Sequence, residues 1–250
     1  MLNAIILAGS SHKGPLEITT QVSNKALIKF NNRPVVDYII DALNNSKYVD
    51  RIVMVGPEEE LSSLIRPRVE KILKPGKSII ENLEIAVQYF NSEDLILILT
   101  SDIPLINEMA IDEFIALCLE KKASLAYPII TKEEIINKYP EAQRTYVKIK
   151  DGVFCGGNII LIKPEIFFQK KEIIEQLYKN RKAAWKWAGL FGYNFILKFI
   201  FNKITIPEIE EKVSQLVGFN SVAVKISHPE MMMDLDKPSD YQVIKQYLEG

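Results

Sequence analysis

The sequence predicts an α/β fold in which a mostly parallel sheet lies between two layers of helices. Three observations predict it. Short, continuous apolar runs at Ala4–Ala8, Ile52–Val55 and Leu95–Leu99 read as strands covered on both faces. Longer stretches with apolar residues at helical spacing lie between them. Strands and helices alternate through the first half of the chain, the pattern of a parallel, Rossmann-type unit.

The elements follow in order. Ala4–Ala8 is the first strand and ends at Gly9. Pro34–Leu43 is a helix with Val35, Val36, Ile39, Ile40 and Leu43 on one stripe. Ile52–Val55 is stopped by Gly56-Pro57, and Glu58–Ile65 is a helix ended before Pro67. Ser78–Phe90 is a helix with Ile79, Leu83, Ala86, Val87 and Phe90 inward. Leu95–Leu99 ends in the polar cluster Thr100-Ser101-Asp102. Asn107 is the expected N-cap of a helix over Glu108–Lys121, and Ser124–Ile129 is a further strand. In the less regular second half, Thr145–Ile149 and Asn158–Ile162 read as strands around the turn Lys150-Asp151-Gly152. Pro207–Val217 is a helix with proline in its first turn and Gly218 just past its end. Val222–Ile226 is a strand, and Pro238–Leu248 a closing helix with Asp236 just ahead of it. Residues 1–250 read as one domain, with a helical insertion at about 165–218 and no internal repeat or linker.

A chain of 250 residues suits one large α/β domain, and 48% hydrophobic residues supply its core. Lys plus Arg is 31 against 32 for Asp plus Glu, so the net charge is -1. That balance argues against nucleic-acid binding, which needs a basic footprint, but leaves room for a local anion site. Two cysteines are too few for a disulfide framework or a zinc site. Of Cys118 and Cys155, one is expected in the core and one in a loop, in a reducing compartment. Two histidines, His12 and His228, argue against a histidine metal centre or a Ser-His-Asp triad. Met1-Leu2-Asn3 lacks the basic region of a signal peptide, and Ala4–Ala8 is too short for its apolar core. No window reaches the ~20 apolar residues of a membrane span. The expectation is a soluble, cytoplasmic protein.

Ligands of such sheets bind beyond the carboxyl ends of the strands. The segments after Ala8 and after Leu99 are such ends, which puts Gly9-Ser10-Ser11 and Asp102 in one crevice. Small residues after a buried strand let backbone N–H groups approach phosphate oxygens, and Lys25 adds a full positive charge. The glycine spacing is neither GxGxxG nor GxxxxGKS/T, so neither a dinucleotide fingerprint nor a P-loop is present. An ordinary strand-to-helix loop is the competing reading. Asp102, at the end of a central strand, is a natural Mg²⁺ ligand, because Mg²⁺ needs only one or two carboxylates plus substrate phosphates. Its competing reading is a helix cap or turn residue.

LAG after the first strand, then NKALI, then RPVVDYIIDAL resembles the MobA-like NTP transferase family, the nucleotidyltransferases typified by molybdenum-cofactor guanylyltransferase. In that family the loop reads LAGG-x-G-x-R, followed by K-P-L. This chain keeps Gly9 and Lys25, has Ser10 for the second glycine and lacks the arginine, for which Lys13 is the candidate substitute. The resemblance implies the Rossmann-like three-layer α/β/α nucleotide-diphospho-sugar-transferase (GT-A type) fold, with a mixed, mostly parallel sheet. It implies NMP transfer from a nucleoside triphosphate (GTP, CTP or UTP) to a phosphorylated small-molecule acceptor, with pyrophosphate released and Mg²⁺ as cofactor. Ser101-Asp102-Ile103-Pro104 looks like the family's metal-binding aspartate motif. Met233 to Tyr241 is similar to the family's D-x-D/N-T-P-E-D-L segment, which makes Asp236 the second metal ligand ahead of Asp234. A cap on the following helix is the competing reading for Asp236.

Lys25, Asp102 and Asp236 are thereby the catalytic candidates. Leu7, Ala8, Gly9, Ser10, Lys13 and Lys25 would hold the triphosphate, and Lys77, Ser78 and Asn82 the ribose and base, with an N-cap as the other reading for Ser78. Arg144, Lys148, Gly156, Gly157 and Asn158 would line the acceptor pocket, the basic pair otherwise being a solvated strand edge. Two other functions stay open: a glycosyltransferase using a nucleotide sugar, against which the single mid-chain Asp102 weighs, and a non-catalytic nucleotide-binding protein of the same fold. The apolar stretch Trp185–Phe201 has three readings: a helical subdomain or homodimer surface, a lid over an apolar acceptor, or an interfacial membrane helix.

Overall fold

Consecutive residues of a strand face opposite sides of its sheet. In the computed structural model, which describes residues 1–9, 14–62, 69–90, 95–179 and 188–250, the first strand obeys this with both sides buried. Strand β1 (Leu2–Leu7) sends Ala4 and Ile6 into the larger core and Ile5 into a second one. Then come α1 (Pro15–Thr20), the short hairpin β2 (Lys29–Phe30) and β3 (Arg33–Pro34), α2 (Val35–Asn45), β4 (Val49–Val55) and α3 (Glu58–Leu61). The middle of the chain forms β5 (Val69–Leu73), α4 (Ile79–Tyr89), β6 (Ile96–Thr100), α5 (Glu108–Glu120), β7 (Leu125–Thr131) and α6 (Lys132–Lys138). Strands β8 (Val147–Ile149), β9 (Gly152–Gly156) and β10 (Ile159–Ile162) follow. The last part holds α7 (Pro164–Lys179), α8 (Ala188–Phe191), α9 (Tyr193–Ile200), α10 (Ile206–Val217), β11 (Ser221–Lys225) and α11 (Pro238–Glu249).

Among the described residues, nine strands form one sheet in the order β5-β4-β1-β6-β10-β7-β9-β8, with β11 paired to β7. Pairing is parallel across β5, β4, β1 and β6 and between β7 and β11. Strands β10 and β9 run against the rest. The larger core packs α2 (Val36, Ile39, Ile40, Leu43) and α5 (Ile111, Phe114, Ile115) on one face. The second packs Ala86 and Val87 of α4 and Ile166 and Phe167 of α7 on the other. The layers are therefore helix, mixed and mostly parallel sheet, helix, as the sequence predicts.

The differences are local. Val69–Leu73 is a strand that the sequence did not announce, and Gly152–Gly156 is a strand where only a turn was expected. The latter holds Cys155, and Cys118 lies in α5; both are buried, so neither cysteine is the loop residue expected. The strand expected over Thr145–Ile149 is confined to Val147–Ile149. The described part of the helix expected over Glu58–Ile65 is Glu58–Leu61. Asn107 caps α5 as expected, its side chain accepting from the Ala110 N–H, and Gly218 ends α10 in the left-handed conformation. Among the described residues no helix is long and apolar enough to cross a membrane.

Candidate active site

The turn after β1 is built so that Lys25 comes back to the strand end. The Ala8 N–H donates to the Val55 carbonyl at 2.8 Å, which keeps the strand edge paired to its last residue. The Asn24 side chain then ties the far end of the loop down. Its amide donates to the Ala8 carbonyl at 3.1 Å, and its carbonyl oxygen accepts from the Ala26 N–H at 3.1 Å, capping the helical turn Lys25–Leu27. Gly9 is a close-approach glycine. A Cβ there would stand 2.7 Å from the Asn82 amide nitrogen and 2.9 Å from the Pro75 Cβ, so backbone and α4 can meet only without a side chain. Ser10 and Lys13, both expected in the triphosphate grip, lie outside the described residues.

Three residues distant in sequence converge here. The Lys25 ammonium donates to Asp102 at 3.0 Å and also to Asp236. The Leu235 N–H donates to the Asp102 carbonyl at 2.9 Å, so the segment before α11 is stitched directly to the end of β6. Burial would lower the Lys25 pKa, but the Asp102 and Asp236 charges outweigh it and hold it above the usual lysine value. Burial likewise opposes ionisation of Asp236, yet the Lys25 ammonium outweighs it and holds this carboxyl below its usual value. Asp234 goes the other way. Burial pushes its carboxyl up, Arg144 opposes this, and the Asp236 and Asp102 carboxylates add to the rise.

Arg144 organises the same segment from beneath. Its guanidinium donates to the Asp234 and Asp240 carboxylates and to the Met232 and Asp234 carbonyls at 3.3 and 3.1 Å. The other oxygen of Asp240 accepts the N–H groups of Asp236 and Lys237 at 3.0 and 2.9 Å. Both terminal nitrogens of Arg144 are thus engaged by the protein. Asp240 and Asn24 are site-building residues that sequence reasoning missed. Each had a readable signal: Asp240 is an acidic residue at the third position of a proline-started helix, and Asn24 is a capping residue immediately before Lys25.

Two clefts border this cluster, one at Asp102 and the other at Asp236. The first, about 400 Å³, is lined by Leu7, Gly9, Lys77, Ser78, Asn82 and Asp102 among others. Asn82 is buried, and its side-chain oxygen accepts from the Gly76 N–H at 2.7 Å. Ser78 does cap α4, accepting from the Glu81 N–H at 3.1 Å. Thr100, not anticipated, also lines this cleft with a buried hydroxyl that has no hydrogen-bond partner among the described residues. The second cleft, about 190 Å³, is lined by Arg144, Gly156, Gly157, Asn158, Asp234 and Asp236 among others. Ala8 is buried behind the strand end, and Lys148 is exposed on β8; neither lines these clefts.

The donors suit a hard cation. Among the described residues, one oxygen of Asp102, Oδ1, is buried without a hydrogen-bond partner, and Asp236 is half exposed beside it. Among the described residues no group of three or more His, Cys, Asp or Glu side chains is placed to hold a metal by itself. Two carboxylates completed by phosphate oxygens are what Mg²⁺ requires.

The family model described as the MobA-like NTP transferase domain matches residues 4–188. The bifunctional protein GlmU of Thermodesulfovibrio yellowstonii is 26% identical over 220 residues, covering 80% of this chain and 46% of that protein. The 2-C-methyl-D-erythritol 4-phosphate cytidylyltransferase of Clostridium perfringens is 29% identical over 102 residues, covering 38% of this chain and 44% of that protein. The chain thus spans about half the length of the curated relatives it matches. Among solved structures, a hypothetical transferase from Thermus thermophilus superimposes with a TM-score of 0.81 at 29% identity, covering 96% of this chain and 98% of that one. A CMP:2-keto-3-deoxy-manno-octonic acid synthetase complexed with CTP superimposes with a TM-score of 0.60 at 12% identity, covering 99% of this chain and 98% of that one, a likeness of fold alone.

Proposed function

The chain belongs to the MobA-like NTP transferase family, and on that premise we propose that it transfers the nucleotidyl group of a nucleoside triphosphate to a phosphorylated small-molecule acceptor, with Mg²⁺. The observation behind this reading is the place of Lys25. It joins Asp102, which lines the first cleft, to Asp236, which lines the second. A donor in one cleft and an acceptor in the other would meet at that junction.

In this reading the triphosphate lies in the first cleft. Gly9 gives it close access to backbone N–H groups, and the N-terminus of the eleven-residue α4 faces the same cleft through Lys77 and Ser78. Asn82 and the Gly76–Ser78 turn would contact ribose and base, whether GTP, CTP or UTP. The acceptor phosphate lies in the second cleft beside Gly156, Gly157 and Asn158. Arg144 contributes by fixing Asp234, Asp236 and Asp240 rather than by binding the acceptor. An acceptor phosphate oxygen forms a bond to the α-phosphorus while the bond from that phosphorus to the bridging oxygen breaks, and pyrophosphate leaves with the electron pair. The acceptor is already anionic, so no strong general base is needed. Lys25, fully protonated, neutralises charge that gathers on the α-phosphate, and the fixed clefts hold the two reactants in line. A Mg²⁺ ion held by Asp102 and Asp236 would neutralise the donor and acceptor phosphates between them.

The test is pyrophosphate release on mixing the protein with a nucleoside triphosphate, Mg²⁺ and a panel of phosphorylated acceptors. Release that needs both substrates supports transfer. An Asp102→Ala variant that retains full Mg²⁺-dependent release would refute the assignment.

A further inference from the structure

Along β7 the side chains alternate. Ala126 and Ile130 enter the larger core, while Leu125, Tyr127 and Ile129 face the other side. Val147 and Ile149 of β8 and Phe154 of β9 extend that second face as apolar surface. Helix α10 stands over it with Ile206, Ile209 and Val213, and Phe195 and Phe199 of α9 pack with Ile149 and Phe154 to one side. Helix and sheet do not close on each other. A pocket of about 310 Å³ remains between them, within the roughly 300–1,000 Å³ range of small-molecule sites. The polar side chains that α10 and β11 bring to it are already engaged. Glu210 accepts from the Ala223 N–H at 2.9 Å, and the Ser221 hydroxyl donates to the Phe219 carbonyl at 3.0 Å. What the pocket offers a ligand is apolar area.

The pocket adjoins the acceptor cleft, since Tyr127, Cys155 and Gly156 line both. Gly156 lets the Tyr127 ring pack against the β9 backbone at this boundary, because a Cβ there would come within 2.5 Å of the ring. Tyr127 is 42% exposed, in the wall shared by the two cavities. A ligand with a charged end beside Asp236 and an apolar end under α10 would match both halves.

We propose that the acceptor of this nucleotidyl transfer is a phosphate monoester carrying an apolar chain, with its phosphate in the cleft beside Asp236 and its chain in the pocket under α10. The inference rests on the transfer reading for the fate of the phosphate, while occupancy of the pocket is readable without it. The chain takes no part in the reaction. The phosphate oxygen bonds to the α-phosphorus and pyrophosphate departs, as above, so the pocket acts only on affinity and alignment.

Calorimetric titration of the full chain with ethyl, butyl, hexyl and octyl phosphate, with Mg²⁺ and without nucleotide, tests the pocket directly. Affinity should rise about fourfold per added methylene until the pocket is filled, and octyl phosphate should bind more tightly than octanol. Ala223→Phe fills the pocket from β11 and Val213→Trp from α10. Either should flatten the chain-length dependence while leaving the thermal shift by Mg²⁺ and nucleoside triphosphate unchanged, which shows that the variant is folded. Equal affinity along the series overturns the proposal, as does a steep series that neither folded variant alters. Pyrophosphate release as fast with ethyl as with octyl phosphate also overturns it and leaves the transfer reading standing. Chain-length-dependent binding without pyrophosphate release shows an apolar site but overturns its assignment to the acceptor, and release with other phosphorylated acceptors then decides the transfer reading.

Discussion

The Arg144 guanidinium donates to the Asp240 carboxylate with both side chains buried, at 6% and 3% exposure. Because Asp240 in turn holds the N–H groups of Asp236 and Lys237, a change at residue 144 is transmitted to the proposed metal ligand. Arg144→Met leaves buried carboxylates unpaired and should cost about 3–5 kcal/mol of stability, visible as a melting point lower by about 10 °C. Arg144→Lys should recover part of this, since a single ammonium cannot reproduce the forked contacts. A melting point unchanged by Arg144→Met would show that the network is incidental.

Asp102→Asn keeps shape and removes charge. In the transfer reading it should lower the rate by about a hundredfold or more, with a melting point near that of the native chain. Lys25→Met should lower the rate comparably while weakening nucleotide binding less. Rates within a factor of about three of native for both variants would be incompatible with roles at the reacting phosphates.

Gly9→Ala places a methyl group against the Asn82 amide and the Pro75 Cβ. Overpacking of this kind costs about 1–3 kcal/mol, and the strand end must move away from α4. Both melting point and nucleotide affinity should fall. A variant matching the native chain in both measurements would show that the approach of Gly9 to α4 is not tight.

Glu208 provides a pH test away from the site. Lys198, and then the Thr205 N–H and hydroxyl, hold its carboxyl down at about 2, below its usual 4.5. The folded-state value is the lower one, so the stabilisation is complete above about pH 4.5 and is lost as pH falls towards 2. Denaturant titrations across that window should show a shallower pH slope for Glu208→Gln than for the native chain. Equal slopes would exclude Glu208 as a contributor.

The legible parts of this fold are those where one signal dominates. Leu95–Leu99 is apolar throughout and appears as β6, and Asn107 marks the start of α5 because a cap acts locally. Val69–Leu73 was not legible, since it is an edge strand with Glu70 and Lys71 exposed. Helix α6 was overlooked although Thr131 and Glu134 form a capping box that the sequence spells out. Periodicity also says nothing of strand direction, so the antiparallel setting of β10 between β6 and β7 comes only with the structure. At the site, Asp102 follows from its place at a strand end, whereas Asp236 lies 211 residues from the lysine it contacts and entered through resemblance. A basic residue in a sequence carries no sign of its partner. For that reason Arg144 was expected to bind phosphate and is found engaged by two aspartates.

The central claim is that Lys25, Asp102 and Asp236 form a site for a metal-bound nucleoside triphosphate. The most direct measurement is the melting point with GTP, CTP and UTP, each with Mg²⁺ and with a chelator, for the native chain and for Asp102→Asn. At a ligand concentration about 100-fold above Kd, binding to the folded state contributes about 2.7 kcal/mol. That predicts a rise of about 5–10 °C for at least one nucleotide with Mg²⁺, most of it lost with the chelator and in Asp102→Asn. No shift with any nucleotide, or a shift of the same size in the chelator and in the variant, would contradict the account.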